Sequence, residues 1–275
     1  MRVLVTGAAG FVGRALFATA PADAEVVGTW RTTPAPDGVD AHRVDLADRD
    51  ATAALWRRVQ PDLVVHTAYG TGDLGRDVVM ATASVVDATA AVGAGLLHLS
   101  SDVVFDGEHA PYAEHDPPAP VSVYGRAKAA AEAEVEAVLP DAAIVRTSLV
   151  LTPETLDPRT RFVADAVARG EAVDGYADEV RMPVHRDDLV AGLWRVATLD
   201  ADERRGPWHL PGPRAVTRHE LALAVARHVG GDTTLVRSVP APQDPADPRP
   251  RDLRLTAHRA TAIGWTPRDV LAGYG

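Results

Sequence analysis

Two rhythms of apolar and polar positions alternate along this chain. Residues 2–6, RVLVT, form a continuous apolar, β-branched run that GAAGFVG interrupts, and FVGRALFATA then places apolar residues at helical spacing. The pattern predicts a strand, a glycine turn and a helix in direct succession. AEVVGT (24–29) and PDLVVHTA (61–68) predict further buried strands, and DRDATAALWRRV (48–59) predicts a helix with Leu55, Trp56 and Val59 as its apolar stripe. From GRDVVM a long helical segment runs to a stop at Gly93 and Gly95, just ahead of the strand LLHLS (96–100). A helix from Tyr124 to Leu139 and the strand AAIVRTS (142–148) continue the alternation.

Strands that are apolar on both faces and separated by helices predict a parallel sheet covered on both sides. The expected fold class is therefore α/β, with a doubly wound domain over residues 1–150 and a smaller C-terminal lobe over 151–275. The second half contains no internal repeat. Prolines break it in TPETLDP and PAPQDPADPRP, and helices are expected near 160–169, 187–198 and 217–229. The segment 183–197, PVHRDDLVAGLWRVA, turns helical after Arg186 and is expected to pack back on the first domain.

Charge and composition narrow the function classes. The 38 acidic side chains exceed the 28 Lys and Arg, a net charge of −10 that argues against a nonspecific nucleic-acid partner or an acidic membrane surface. Without cysteine, disulfides, thiolate catalysis and Cys-ligated metals are excluded. MRVLVTGAAG starts on an apolar strand with no signal-peptide pattern, and no apolar run reaches the roughly 20 residues of a membrane span, so a cytoplasmic location is expected.

Gly7, Gly10 and Gly13 form GxxGxxG between the first strand and the first helix, with Phe11 and Val12 inside the turn. There a backbone can approach a pyrophosphate and present helix N-terminal N–H groups to it, so these residues are expected to bind a dinucleotide. At the end of the second strand an NAD site usually offers an acid to the adenosine ribose. This chain offers Thr29, Trp30 and Arg31, and an arginine there suits a 2′-phosphate, which favours NADP(H). Asp45 and Leu46, in VDLAD, are placed for the adenine edge, and an N-cap role for Asp45 stays open.

Tyr124 and Lys128 lie four apart on a helix and so share a face. Lowering a tyrosine from about 10 to about 7 takes roughly 4 kcal/mol. An ammonium about 4 Å away in partly screened surroundings supplies roughly that much. The pair suffices for acid/base work, and Ser101, after the strand LLHLS, is placed to hold a carbonyl beside Tyr124.

TGAAGFVG, LSSDVVFDG, PYAEHDPPAPVSVYGRAK and RTSLV together resemble the extended short-chain dehydrogenase/reductase superfamily, most nearly its dTDP-4-dehydrorhamnose reductases. WHLPGPRAVTRHELALAVA and RPRDLRL extend the likeness over nearly the whole chain. The resemblance implies a Rossmann-type fold with a C-terminal substrate lobe and a Ser101, Tyr124, Lys128 triad. In it, Tyr124 protonates a ketone and Lys128 bonds the nicotinamide ribose. It further implies that Thr67, Ala68 and Tyr69 pass the nicotinamide end of NADP(H), and that Ser101 and Asp102 face a sugar. The substrate implied is a nucleotide-activated 4-keto-6-deoxy sugar. Arg181 is the candidate for its diphosphate, and association into a homodimer stays open.

Three positions depart from the family. Met80 is aligned with its usual asparagine, DEVRMPV (178–184) stands for D-Q-x-G-x-P-T, and Leu149 replaces an aromatic residue after RTS, which implies a changed sugar pocket. The HRD of His185–Asp187 reads as a helix start, His98, His109 and His115 lack zinc spacing so that no metal is expected, and Trp194 and Trp208 read as core. PAPQDPADPRP is expected to form a loop over the substrate cleft. Two rival functions remain: a nucleotide-sugar epimerase or dehydratase with bound NAD, and a noncatalytic NADP-binding regulatory subunit.

Overall fold

A computed structural model describes residues 1–274. Strand β1 (Arg2–Thr6) leads through the glycine turn into helix α1 (Phe11–Ala18), followed by β2 (Glu25–Trp30), β3 (Ala41–Arg43), α2 (Arg49–Val59) and β4 (Leu63–His66). A π-helical stretch, Gly75–Met80, then runs into α3 (Ala81–Val92), and β5 (Gly95–Ser101), α4 (Val123–Val138) and β6 (Ala143–Thr147) follow. Next come β7 (Val150–Leu151), α5 (Pro158–Ala168), β8 (Val173–Tyr176), β9 (Val180–Arg181), β10 (Val184–His185), α6 (Arg186–Ala197) and α7 (Ala201–Arg204). The chain closes with β11 (Gly206–His209), β12 (Val216–Thr217), α8 (Arg218–His228), β13 (Val236–Val239) and α9 (His258–Ala262).

Seven strands make one sheet in the order β11-β6-β5-β4-β1-β2-β3. The pairs β1–β2, β1–β4, β2–β3 and β4–β5 are parallel. Strand order leaves β1 in both directions, so the winding reverses between β1 and β4, and the C-terminal ends of these strands are where such sheets bind ligands. The expected doubly wound sheet is thus present. Its strands are buried on both faces: Val3, Leu4 and Val5 in β1, Val64 and Val65 in β4, and Ala143 and Val145 in β6 are wholly inaccessible.

The chain divides into two compact units. One comprises Met1–Ser101, Val123–Arg146 and Val190–Trp208; the other comprises Asp102–Ser122, Thr147–Leu189 and the residues from His209 onward. Each unit is therefore discontinuous in sequence. In the first, Leu4, Val64, Leu96 and Ile144 project from neighbouring strands against Leu55 and Trp56 of α2 and Val85 and Val86 of α3. Trp56 is fully buried, and its indole N–H donates to Thr89 Oγ1 at 3.0 Å, so the ring is buried without an unmet donor. Glu132 of α4 and Arg146 of β6 form a buried pair at 2.8 Å. Removing one partner would strand the other charge, at a cost of about 3–5 kcal/mol.

The second unit holds three two-stranded sheets, β7–β10, β9–β12 and β8–β13, and its helix α8 packs on β8, β12, β13 and the C-terminal turn. Leu151, Val216, Leu221, Val225, Leu271 and Tyr274 make its core. Helix α8 opens on a capping box in which Thr217 and Glu220 bond each other's backbone N–H groups, fixing where the helix begins. Trp194 and Trp208 are buried, and α6 begins at Arg186 immediately after His185. No helix among the described residues is long and apolar enough to cross a membrane.

Candidate functional site

The glycine turn is built by close approach. Gly7 has φ +77° and lies against Ala68, so a Cβ there would meet Ala68 Cα at 3.1 Å in a backbone region that L-residues avoid. A Cβ on Gly13 would collide with Gly7 O, and one on Gly10 would reach the same oxygen at 3.0 Å. Gly10 is also the N-cap of α1. It supplies no side-chain cap, and no acid stands in the first turn to offset the positive end of the helix. Phe11 and Val12, both partly buried, form the first turn behind it.

Beside the turn, the C-terminal ends of β1 and β4 are tied together. Thr6 Oγ1 accepts the N–H groups of Thr67 and Ala68, each at 3.1 Å, and Thr67 Oγ1 donates to Thr6 O at 2.7 Å. With both lone pairs used, the Thr6 hydroxyl donates to His66 Nδ1 at 2.7 Å, which leaves the imidazole proton on Nε2 to reach Thr82 Oγ1 at 3.1 Å. Burial, reinforced by the charge of Lys128, pushes His66 down to about 3, so it is neutral at physiological pH. His98 lies 5.3 Å away ring to ring and is driven well below its ordinary value by burial, then by Lys128 and His66.

Lys128 stands over this neutral pair. Tyr124 and Lys128 occupy successive turns at the start of α4, and the lysine is only 4% exposed. Its Nζ donates to Leu99 O, next to the end of β5, at 2.7 Å. Burial lowers it to about 8, opposed by Glu132, so the ammonium is still about nine-tenths protonated at pH 7. Tyr124 is partly buried, with its ring centroid 6.2 Å from that of Tyr69. Ser101 ends β5 in the same unit, so the three sequence-predicted acid/base residues share one unit with the glycine turn.

The residues expected to meet the adenosine depart most from the sequence reading. Arg31 follows β2, but its guanidinium forms a two-point pair with Asp77, and Asp77 also accepts from Arg76 at 2.8 Å. Arg76 in turn bonds Asp45, whose other oxygen accepts Ala47 N–H at 3.1 Å. Asp48, not Asp45, caps α2. Asp45, Ala47, Asp48, Asp73, Gly75, Arg76 and Met80 line a cavity of about 530 Å³, while Leu46 turns its side chain into the core. Arg76 and Asp77 were missed because nothing in GRDVVM distinguishes a site from a solvated helix start.

The π-helical stretch gives Met80 and Val78 different surroundings. Met80 is 55% exposed on that cavity, whereas Val78 is buried against Ala127 and Ala131, the residues flanking Lys128 on α4. Val78 thus packs on α4, and Met80 is not part of that cluster. The π-helical stretch shifts the angular phase of these residues relative to an α-helix.

The other predicted contacts lie in the second unit. Asp102 is 3% exposed and accepts Ser148 Oγ at 2.7 Å, which makes it a support rather than an open surface. Leu149 is partly buried against that unit's core. Arg181 is 5% exposed and bonds Pro250 O, Val180 O and Glu179, so its guanidinium is committed to its own unit and does not present itself to a diphosphate. Pro240–Pro250 forms no regular element, and Val180 and Leu253 tie the chain that follows it to β9.

These residues fit NADP(H). The close-packed glycine turn suits a pyrophosphate, Thr67–Tyr69 and Lys128 lie at the strand ends, and Arg76 lines the cavity beside Asp45. Among the described residues no cluster of His, Cys, Asp or Glu could hold a metal ion.

Comparison with known proteins follows the same line. The RmlD substrate binding domain family matches residues 1–270. A dTDP-4-dehydrorhamnose reductase of Mycolicibacterium smegmatis is 31% identical over 97% of this chain and 81% of its own. Methionine adenosyltransferase 2 subunit beta of Danio rerio is 26% identical over 96% of this chain and 85% of its own. The crystal structure of a Bacillus anthracis dTDP-4-dehydrorhamnose reductase in complex with NADP superposes with a TM-score of 0.79, at 20% identity, over 99% of this chain and 96% of that one.

Proposed function

The chain belongs to the RmlD substrate binding domain family of extended short-chain dehydrogenases/reductases, and from that premise we propose that it is an NADPH-dependent reductase of a nucleotide-activated 4-keto-6-deoxy sugar. The observation that carries this reading is the buried ammonium of Lys128, one turn beyond Tyr124 and bonded to the end of β5. A cation held at that cost has a use beside a tyrosine that must give up a proton.

Bound NADPH supplies the hydride that reduces the C4 ketone. The chain's own residues do the rest. The glycine turn and the N-terminus of α1 hold the pyrophosphate, and the Thr6 network fixes Thr67 and Ala68 along the nicotinamide end. Ser101 donates to the ketone oxygen and holds it beside Tyr124. Tyr124 Oη gives its proton to that oxygen as negative charge develops there, and the Lys128 ammonium stabilises the phenolate left behind. Leu149 is our candidate for a contact to the sugar. For the diphosphate we replace Arg181 with Arg249, whose side chain is 41% exposed on Glu179 and stacks 5.2 Å from the Tyr176 ring.

The test is NADPH consumption with dTDP- and GDP-linked 4-keto-6-deoxy sugars. Turnover of at least one supports the reading. A chain that binds NADPH and reduces none of them would defeat it.

A further inference from the structure

Two guanidiniums converging on one carboxylate describe an anion site already filled from within. Asp77 holds Arg31 at two points and Arg76 at a third, and its side chain is only 10% exposed, while those of Arg31 and Arg76 are 42% and 41% exposed. The carboxylate is the fixed member. Its backbone N–H donates to Asp73 O at 2.7 Å, and its Oδ2 lies so close to Gly70 that a Cβ there would reach it at 2.5 Å. The arginines are long, half-exposed and able to swing. Arg76 extends the cluster to Asp45 on the wall of the adenosine cavity.

Charge counting gives the consequence. Arg31 and Arg76 are matched by Asp45 and Asp77, so the cluster has no net positive charge to offer a phosphate. We infer that Asp77 is an internal anion occupying the cation pair that the 2′-phosphate of NADP(H) requires, and that Asp77 therefore sets the balance between NADPH and NADH. This rests on the proposed reading that the dinucleotide binds at the glycine turn. A 2′-phosphate has to draw Arg31 away from Asp77 and then lies near a carboxylate that cannot retreat. A 2′-hydroxyl brings no charge and can donate to that carboxylate, so NADH escapes the penalty.

The experiment is fluorescence titration of the whole chain with NADPH and with NADH, for wild type, Asp77→Asn and Arg31→Ala. Asparagine keeps the shape and removes the charge. Asp77→Asn should tighten NADPH by about ten-fold, as expected for relief of one partly screened like-charge contact. NADH should stay within about two-fold, and salt should weaken NADPH more steeply than in wild type. Arg31→Ala should weaken NADPH alone. If Asp77→Asn does not fold, Asp77→Ser replaces it with the same expectation. An unmoved NADPH/NADH ratio, or weaker NADPH binding, overturns the inference while leaving the reductase reading intact. A wild-type chain that binds neither nucleotide would remove both.

Discussion

Replacing Lys128 with methionine should cost nearly all activity and no stability. The ammonium is 4% exposed and titrates near 8 rather than 10.5 because burial disfavours its charge. That difference corresponds to about 3 kcal/mol spent at pH 7 to keep the side chain protonated in the fold. Methionine recovers this cost, matches the volume, and forfeits the charged hydrogen bond to Leu99 O, a loss of about 1.5–3 kcal/mol. The net change is between zero and about 2 kcal/mol in favour of Lys128→Met. Turnover should fall about 10²–10⁴-fold, since Tyr124 loses the charge that lowers its proton affinity.

The pH dependence separates this account from a lysine that merely packs. Between pH 8 and 10.5 the unfolded chain holds a proton on Lys128 that the folded chain has released. Wild-type stability should therefore rise with pH across that window by up to about 1.4 kcal/mol per unit relative to Lys128→Met, while wild-type turnover declines above about pH 8. Denaturant unfolding of both proteins at several pH values measures this. A Lys128→Met protein destabilised by more than about 2 kcal/mol, or one that keeps the same rise, would refute the reasoning.

The acid side is governed by histidine. His66, held near 3, binds a proton in the unfolded chain as pH drops below 6.5 but not in the fold, and His98 behaves alike, so stability should fall by up to about 2–3 kcal/mol per unit between pH 6.5 and 5. His66→Gln should remove about half of that slope in thermal melts; an unchanged slope would assign the loss elsewhere. Gly13→Ala should drive Gly7 O out of place, lowering stability by about 1–3 kcal/mol and weakening NADPH at least ten-fold by titration, and wild-type affinity in this variant would contradict the close-approach account.

The sequence displayed what depends on long periodic runs. Five strands of the sheet and their helices were legible because buried parallel strands read as solid apolar blocks such as RVLVT and LVVH, and GxxGxxG was legible because close packing leaves no alternative to glycine. Strands of two residues, such as β7, β9, β10 and β12, show no period and are specified by contacts distant in sequence, including Val180 N–H to Arg251 O. The same limit applies to side-chain partners. Arg31 was visible as a cation, but its engagement by Asp77 depends on how β4 and the π-helical stretch bring two segments together. Arg181 reads as a candidate for a diphosphate until the fold surrounds it with Pro250 and Glu179. The π-turn that leaves Met80 exposed and buries Val78 is likewise silent in the sequence.

The central claim is that Tyr124 delivers the proton in a reduction driven by NADPH. The measurement that meets it most directly pairs NADPH affinity with single-turnover oxidation of NADPH on a reducible 4-keto-6-deoxy sugar nucleotide, in wild type and Tyr124→Phe. The account predicts NADPH affinity within about two-fold of wild type and turnover reduced at least about 10²-fold in the variant. Unchanged turnover in Tyr124→Phe would contradict it.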